Sequence, residues 1–191
     1  LSFENVEFTG ATHGIYIGND NSSQTSADNI QVNDCVFTDM TYAGIYAQRG
    51  NIAVDGTVFK DINSANGTAA GILFDTDYFG NNAYSLRVTD SEFSNITGTT
   101  SDSKATGAIS ITGDGSVNPL VVTGNTFTGN TYDLHIGKTD AIPDIQNWEI
   151  SGNGAIKVFI PDHDAEYYVA TFVSDKTIID TVMADSNGKV L

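Results

Sequence analysis

The sequence predicts an all-β fold, a right-handed, single-stranded parallel β-helix of about five to six turns with a C-terminal β cap or short β extension. Three observations predict it. The chain repeats one ten-residue phrase, every copy carries phenylalanine at the same offset, and every copy has Gly, Asn or Asp at two other fixed offsets. The five copies span residues 1–10, 30–39, 52–61, 86–95 and 120–129.

Each phrase is expected to form two short strands. An aliphatic residue opens the phrase, another apolar residue follows two positions later, and phenylalanine stands at offset seven. Because side chains alternate faces along a strand, residues two positions apart point the same way. The interior is therefore expected to hold one phenylalanine ring from each turn, namely Phe8, Phe37, Phe59, Phe93 and Phe127.

The fixed Gly, Asn and Asp positions are interpreted as corners between strands. Only these three residue types adopt a left-handed backbone at low cost. At offset four the corner residues are Asn5, Asp34, Gly56, Asp90 and Gly124. At offset nine they are Gly10, Asp39, Asp61, Asn95 and Gly129.

A third short strand is predicted after every phrase, over residues 14–17, 44–47, 71–74, 108–111 and 133–136. One such coil cannot bury its apolar face alone, whereas stacked coils bury a continuous core. The right hand is the usual one for parallel crossovers. A β-sandwich with five unrelated phenylalanines is the alternative, and it leaves the fixed corner offsets unexplained.

The repeat also defines the expected domain organisation. Residues 1–160 are predicted to form the β-helix, with a degraded sixth copy starting at Trp148. Leu1 already occupies the first offset of a copy, so we expect an incomplete first turn, with further β-helix turns or a partner chain at that end. The repeat stops after Pro161, and residues 161–191 are interpreted as a C-terminal β cap or the start of a second β module.

Composition limits the classes of partner. The net charge is −16, with only eight Lys and Arg residues, which argues against nucleic acid and anionic membrane surfaces and disfavours acidic polysaccharide. No apolar run is long enough to span a bilayer, so membrane insertion is not expected. This acidic composition, rich in Asn, Thr, Ser and Gly, suits an extracellular protein, or a protein that binds calcium or neutral sugars. The single cysteine, Cys35, is expected to point inward as a small buried side chain.

The predicted third strands carry candidate carbohydrate-binding residues. Tyr16 and Tyr46 occupy the same outward slot in successive turns, and this slot continues as Leu73, Ser110 and His135. Stacked tyrosines bind sugar rings by apolar contact, and they also simply shield a sheet face.

Insertions in a repeat protein often form its binding surface, and three are candidates here, at residues 62–70, 75–85 and 96–107. The aromatic-rich one adds Tyr78 and Phe79 to the candidate carbohydrate-binding residues. Asp75 and Asp77 in the same loop offer oxygen ligands for calcium, and the alternative is an acidic exposed loop.

Two stretches resemble known families. The segment Gly10 to Gly18, with His13-Gly14 at its centre, resembles the Gly-His-Gly segment of polygalacturonase-type pectin hydrolases, although Thr12 replaces the first glycine and Ala47-Gln48-Arg49 stands where those enzymes have Arg-x-Lys. The resemblance implies a catalytic role for His13, and the alternative is an ordinary corner histidine. The whole repeat is similar to the pectin-lyase-like superfamily of right-handed β-helices, whose members include lyases, hydrolases, epimerases, tailspikes and non-catalytic adhesins.

Two functional hypotheses follow, because a fold alone does not determine a function. The first is a secreted or cell-surface β-helix domain that acts as an adhesin, a stalk or a polysaccharide-binding module without a complete catalytic site of its own. The alternative is a part or variant of a polysaccharide lyase or glycoside hydrolase. We expect the partner to be a polysaccharide or cell-surface glycan in either case.

Overall fold

The computed structural model describes residues 1–18, 29–65, 67–78, 83–99, 106–113, 115–136, 149–159 and 178–179. Short strands follow one another along the chain, with one 3₁₀ turn, η1, at Thr76–Tyr78. The strands are β1 (Ser2–Glu4), β2 (Glu7–Thr9), β3 (His13–Ile17), β4 (Asn29–Asn33), β5 (Val36–Thr38), β6 (Ala43–Ala47), β7 (Asn51–Asp55), β8 (Val58–Lys60), β9 (Ala70–Asp75), β10 (Ala83–Thr89), β11 (Glu92–Ser94), β12 (Gly107–Thr112), β13 (Ser116–Thr123), β14 (Thr126–Thr128), β15 (Leu134–Ile136), β16 (Glu149–Ser151), β17 (Ala155–Ile156), β18 (Val158–Phe159) and β19 (Ile178–Ile179).

Seventeen of these strands build three parallel sheets, which confirms the predicted parallel β-helix. Sheet A has the order β1-β4-β7-β10-β13-β16, sheet B has the order β14-β11-β8-β5-β2, and sheet C has the order β18-β15-β12-β9-β6-β3. Residues at the same offset pair across turns, as Phe37 does with Phe59 and Ile45 with Ile72. Each copy of the phrase therefore supplies one strand to sheet A and one to sheet B, and the segment after it supplies sheet C.

All ten predicted corners have a left-handed backbone, with φ between 49° at Asp90 and 70° at Gly124 and Gly129. The chain turns at these positions while the strands on either side stay paired with their neighbours. Gly152 has φ 71°, so the same corner recurs in the sixth copy.

The predicted phenylalanine stack forms the centre of the core. Neighbouring rings are nearly parallel, with interplanar angles of 4° to 15° and centroid separations of 4.6 Å to 5.2 Å. Phe37, Phe59 and Phe93 are fully buried, whereas Phe8 and Phe127 are partly buried at the two ends of the stack.

A column of polar side chains lies beside this stack, and the sequence pattern did not predict it. Cys35 is buried as expected, with 1% of its surface exposed. At the same offset in later turns stand Thr57, Ser91, Asn125 and Asn153, all buried. Each of these four accepts a hydrogen bond from the backbone N–H at the same offset one turn earlier, over 2.9 Å to 3.3 Å. The column thus links successive turns inside the core.

The sixth copy completes the described part of the β-helix. Strand β16 pairs with β13, Ile150 is buried, and β18 pairs with β15 on sheet C. Strand β19 pairs in parallel with β17. Trp148 and all of residues 161–191 except 178–179 lie outside the described residues, so the boundary at residue 160 and the choice between cap and second module stay predictions. Within the described ranges, no helix combines the length and apolar character needed to cross a membrane.

Candidate functional site

The predicted sugar-binding tyrosines lie on the outer face of sheet C. Tyr16 on β3 pairs in register with Tyr46 on β6, and their ring centroids are 5.2 Å apart, with the planes tilted by 42°. This separation is close to the spacing of adjacent strands in a sheet. Tyr16 is 57% exposed, and Tyr46 is partly buried.

His13 and Tyr42 complete a group of four rings, here called the aromatic cluster. The His13 ring lies 5.6 Å from Tyr16, 5.2 Å from Tyr42 and 5.5 Å from Tyr46, centroid to centroid. Tyr42 also packs edge-on against Tyr46 at 5.8 Å. Tyr42 was not a candidate from the sequence, because it precedes β6 and belongs to no repeated offset.

A cleft of about 290 Å³ adjoins the aromatic cluster, and we call it the acidic cleft. Tyr42 and Tyr46 line it together with Asp75, Asp77 and Tyr78 from the end of β9 and from η1. Thr68, from the predicted insertion at 62–70, lines it as well. The structure therefore brings six predicted residues, His13, Tyr16, Tyr46, Asp75, Asp77 and Tyr78, to one region of sheet C. Phe79 lies outside the described residues.

A chain of hydrogen bonds connects the two parts of this surface. The Tyr16 hydroxyl donates to Gln48 Oε1 at 3.1 Å, and Gln48 Nε2 donates to the Tyr46 hydroxyl at 2.9 Å. The Tyr46 hydroxyl donates to Asp75 Oδ2 at 2.8 Å. Gln48 is only 6% exposed, so its amide lies beneath the rings that it connects.

Burial determines the protonation of this surface. It raises the pKa of Asp75, an effect that the Asp77 charge increases and the hydrogen bond from Tyr46 opposes. Burial also raises the pKa values of the Tyr42 and Tyr46 phenols and lowers the pKa of His13. Among the described residues that line the acidic cleft there is no lysine or arginine. These shifts favour the neutral forms of the His13, Tyr42 and Tyr46 rings, which lie beside the carboxyl groups of Asp75 and Asp77.

The later turns of sheet C differ from the first two. Leu73, Ser110 and His135 follow Tyr46 in register, as predicted, but their exposed fractions are 4%, 0% and 1%. Ser110 Oγ lies 2.8 Å from His135 Nδ1, and burial lowers the pKa of His135 to about 3. The outward slot is thus accessible at Tyr16 and partly at Tyr46, and it is buried further along the sheet.

The calcium hypothesis has one described feature in its favour, since Asp75 and Asp77 line the same cleft. Within the described ranges, no group of three or more His, Cys, Asp or Glu side chains is placed to hold a metal ion. Calcium binding at this pair stays a prediction.

Comparison with known proteins assigns the fold family. A family model described as a right-handed β-helix region matches residues 1–155, and the chain belongs to this family. The resemblance seen in the repeat is thereby confirmed for the fold, and the catalytic role implied for His13 stays a prediction. No curated protein and no solved structure shows a significant match.

Proposed function

We propose that this chain is a secreted or cell-surface β-helix domain that binds a neutral polysaccharide or cell-surface glycan, as an adhesin or binding module without a complete catalytic site of its own. One observation carries the proposal. The aromatic cluster and the acidic cleft adjoin each other on one sheet face and are connected by hydrogen bonds through Tyr46.

The two parts of the surface match the two kinds of surface that a sugar presents. A pyranose ring has apolar C–H faces, which pack against aromatic rings such as Tyr16 and Tyr46. Its hydroxyl groups need hydrogen-bond partners, and the carboxylates of Asp75 and Asp77 are strong acceptors. Aromatic side chains with a few placed polar groups are the usual composition of a ligand site.

Charge favours a neutral glycan over an acidic one. The whole chain carries a net charge of −16, and two of its carboxylates line the acidic cleft. A uronic acid placed there would meet charges of its own sign without a described basic partner in the lining.

A glycan array of neutral and acidic polysaccharides, followed by isothermal titration of the hits, tests the proposal. We expect binding to neutral glycans and a loss of about two- to twelvefold in affinity for Tyr16→Ala, since an aromatic contact contributes about 0.5–1.5 kcal/mol. Gln31→Ala, an exposed change on sheet A, is the control and should leave the affinity unchanged. An array without any polysaccharide binding contradicts the proposal, and so does an equal loss in the two variants.

A glycoside hydrolase or polysaccharide lyase is the second candidate, and the acidic cleft is the observation in its favour. Asp75 and Asp77 line one cleft, and burial raises the pKa of Asp75. A proton donor with a raised pKa beside a second carboxylate is what glycosidic cleavage requires. The test is the release of reducing ends or unsaturated products from neutral and acidic polysaccharides, with and without calcium. Release that Asp75→Asn abolishes would support an enzyme, and no release across the panel would exclude it.

A further inference from the structure

The hydrogen-bond chain from Asp75 to Tyr16 has a fixed direction. In its ionised form the Asp75 carboxylate only accepts hydrogen bonds, so the Tyr46 hydroxyl must donate to it. The Tyr46 oxygen is then left to accept, and it accepts from Gln48 Nε2. The other end of the amide, Oε1, therefore faces Tyr16, whose hydroxyl must donate to it.

The opposite orientation of the Gln48 amide would be unfavourable. It would place Oε1 against the Tyr46 oxygen, and no proton would lie between the two because the Tyr46 proton points at Asp75. Gln48 is only 6% exposed, so the surrounding atoms hinder the rotation that would exchange its NH₂ group and Oε1. The charge of Asp75 therefore sets the direction of every bond up to Tyr16.

This direction determines what Tyr16 offers to a ligand. A phenol in water both donates and accepts hydrogen bonds, but the single proton of the Tyr16 hydroxyl points at Gln48. Tyr16 is the most exposed tyrosine of the aromatic cluster, at 57%. Its hydroxyl oxygen can thus only accept from a ligand, as can the carboxylates of Asp75 and Asp77.

We propose that Gln48 is a positioning residue that fixes Tyr16 as a hydrogen-bond acceptor, so that the surface selects glycans with free hydroxyl groups over their methyl ethers. This inference rests on the proposed glycan binding. Gln48 contacts the rings and not the ligand, and it acts through the Tyr16 hydroxyl. Its effect is on selectivity, because without it Tyr16 regains the ability to donate to an ether oxygen.

The ligand test compares free and O-methylated forms of three neutral oligosaccharides, cellohexaose, xylohexaose and mannohexaose, by isothermal titration. We expect the wild type to prefer the free form by about tenfold, since an unsatisfied polar group costs about 1–3 kcal/mol. Gln48→Met and Tyr16→Phe should each reduce this preference about threefold, and the double variant should reduce it no further. An unchanged preference in Gln48→Met, or additive effects of the two changes, would overturn the proposal.

A measurement without ligand separates this proposal from glycan binding. In protein with carbon-13 at tyrosine Cζ, the Tyr16 resonance is assigned by its loss in Tyr16→Phe. Asp75→Asn should shift that resonance when residue 48 is Gln and leave it unchanged in the Gln48→Met background. An equal response in both backgrounds shows that Gln48 does not transmit the state of Asp75 and rejects its positioning role.

The two measurements fail differently. If neither the glycan array nor the three hexasaccharides show binding, the proposed function and the ligand selectivity are both rejected, while the resonance comparison still decides whether Gln48 couples Asp75 to Tyr16. Thermal unfolding checks that Gln48→Met is folded. Tyr16→Phe changes an exposed hydroxyl, so it retains the fold and tests the selectivity even if Gln48→Met does not fold.

Discussion

Glycine is the second residue of β3, β6 and β9 in sheet C. The phenylalanine stack leaves no room for a side chain at this position. A Cβ atom added at Gly14, Gly44 or Gly71 would lie 2.5 Å, 2.7 Å or 2.8 Å from the ring of Phe37, Phe59 or Phe93. It would also lie within 2.8 Å of a backbone carbonyl in the next turn. Neither a stacked ring nor a paired strand can move away at low cost.

Gly44→Ala should therefore lower the free energy of unfolding by about 1–3 kcal/mol, the usual cost of overpacking a core. Denaturant titration measures the loss. Gly67→Ala is the control, because the nearest atom to its added Cβ is the hydroxyl oxygen of Ser64, at the end of a movable side chain. Similar losses in the two variants would show that the stack tolerates the methyl group.

His135 should make stability depend on pH. Burial lowers its pKa from 6.5 in the unfolded chain to about 3 in the folded protein. Between these values the unfolded state binds a proton that the folded state does not, so stability falls as pH falls from about 6.5 towards 3, by about 1.4 kcal/mol per pH unit. Denaturant titration at several pH values between about 5 and 6.5, above the ordinary pKa values of Asp and Glu, measures this slope.

His135→Asn should flatten that slope, because asparagine keeps a polar atom near the position of Nδ1, opposite Ser110, and does not titrate. His13→Asn is the comparison. Burial lowers the pKa of His13 as well, but its ring is only partly buried, so removing it should change the slope less. The prediction fails if the His135 variant retains the wild-type slope.

Asp75 and Asp77 allow a direct test of calcium. If their carboxylates hold the ion, CaCl₂ should raise the melting temperature more than MgCl₂ at equal ionic strength, because a ligand that binds only the folded state stabilises it. Asp77→Asn should remove the difference between the melting temperatures in CaCl₂ and in MgCl₂. Equal effects of the two salts on the wild type would exclude a specific calcium site at this pair.

At the scale of elements, the polar column shows how neighbouring turns are joined inside the core. Asn125 accepts from the backbone N–H of Ser91 and donates to the carbonyl oxygen of Val88 and to Asn153 Oδ1. These groups are buried, so each needs a partner in the protein. One side chain thereby satisfies polar atoms in the turn before it and the turn after it.

Asn125→Ala should cost about 2–4 kcal/mol, because it leaves the Ser91 N–H and the Val88 carbonyl without this partner. Asn125→Ser should cost less, since a serine hydroxyl performs the same accepting role one turn earlier, at Ser91. The free energy of unfolding from denaturant titration distinguishes them. Equal losses would mean that the cavity, and not the lost hydrogen bond, sets the cost.

The repeat predicted the elements well because each corner and each phenylalanine is required in every turn. The sequence pattern did not reveal the polar column, because its members share only their offset and their small or polar character. These members include Cys35, Thr57, Ser91 and Asn125. Tyr42 and Gln48 were missed for a related reason, since neither belongs to a repeated position. Their roles depend on which turns the register brings together, which a single phrase cannot show. The burial of Leu73, Ser110 and His135 likewise depends on tertiary packing.

At the scale of the whole molecule, stacking identical turns also stacks their charges. In successive turns, the corner between sheets A and B is occupied by Asp34, Gly56, Asp90 and Gly124. A glycine therefore separates the two carboxylates. A Cβ at Gly56 would lie 2.7 Å from Asp34 Oδ1, which shows how closely the corners approach. The next corner is less protected, because Asp39 and Asp61 stand in adjacent turns. Repulsion along the corners is therefore only partly relieved by the local sequence.

Added salt should consequently stabilise the fold. The chain carries a net charge of −16, and the distance over which its charges act falls from about 30 Å at 0.01 M salt to about 8 Å at 0.15 M. Screening lowers the self-repulsion of the compact state more than that of the expanded unfolded chain. An increase of about 1 kcal/mol in the free energy of unfolding would raise the melting temperature by about 2–4 °C for a chain of this size. Calorimetry in NaCl and KCl checks the expectation, and the two salts should act alike because screening depends on ionic strength. A melting temperature that stays constant or falls over this range would show that the stacked carboxylates do not limit the stability of the β-helix.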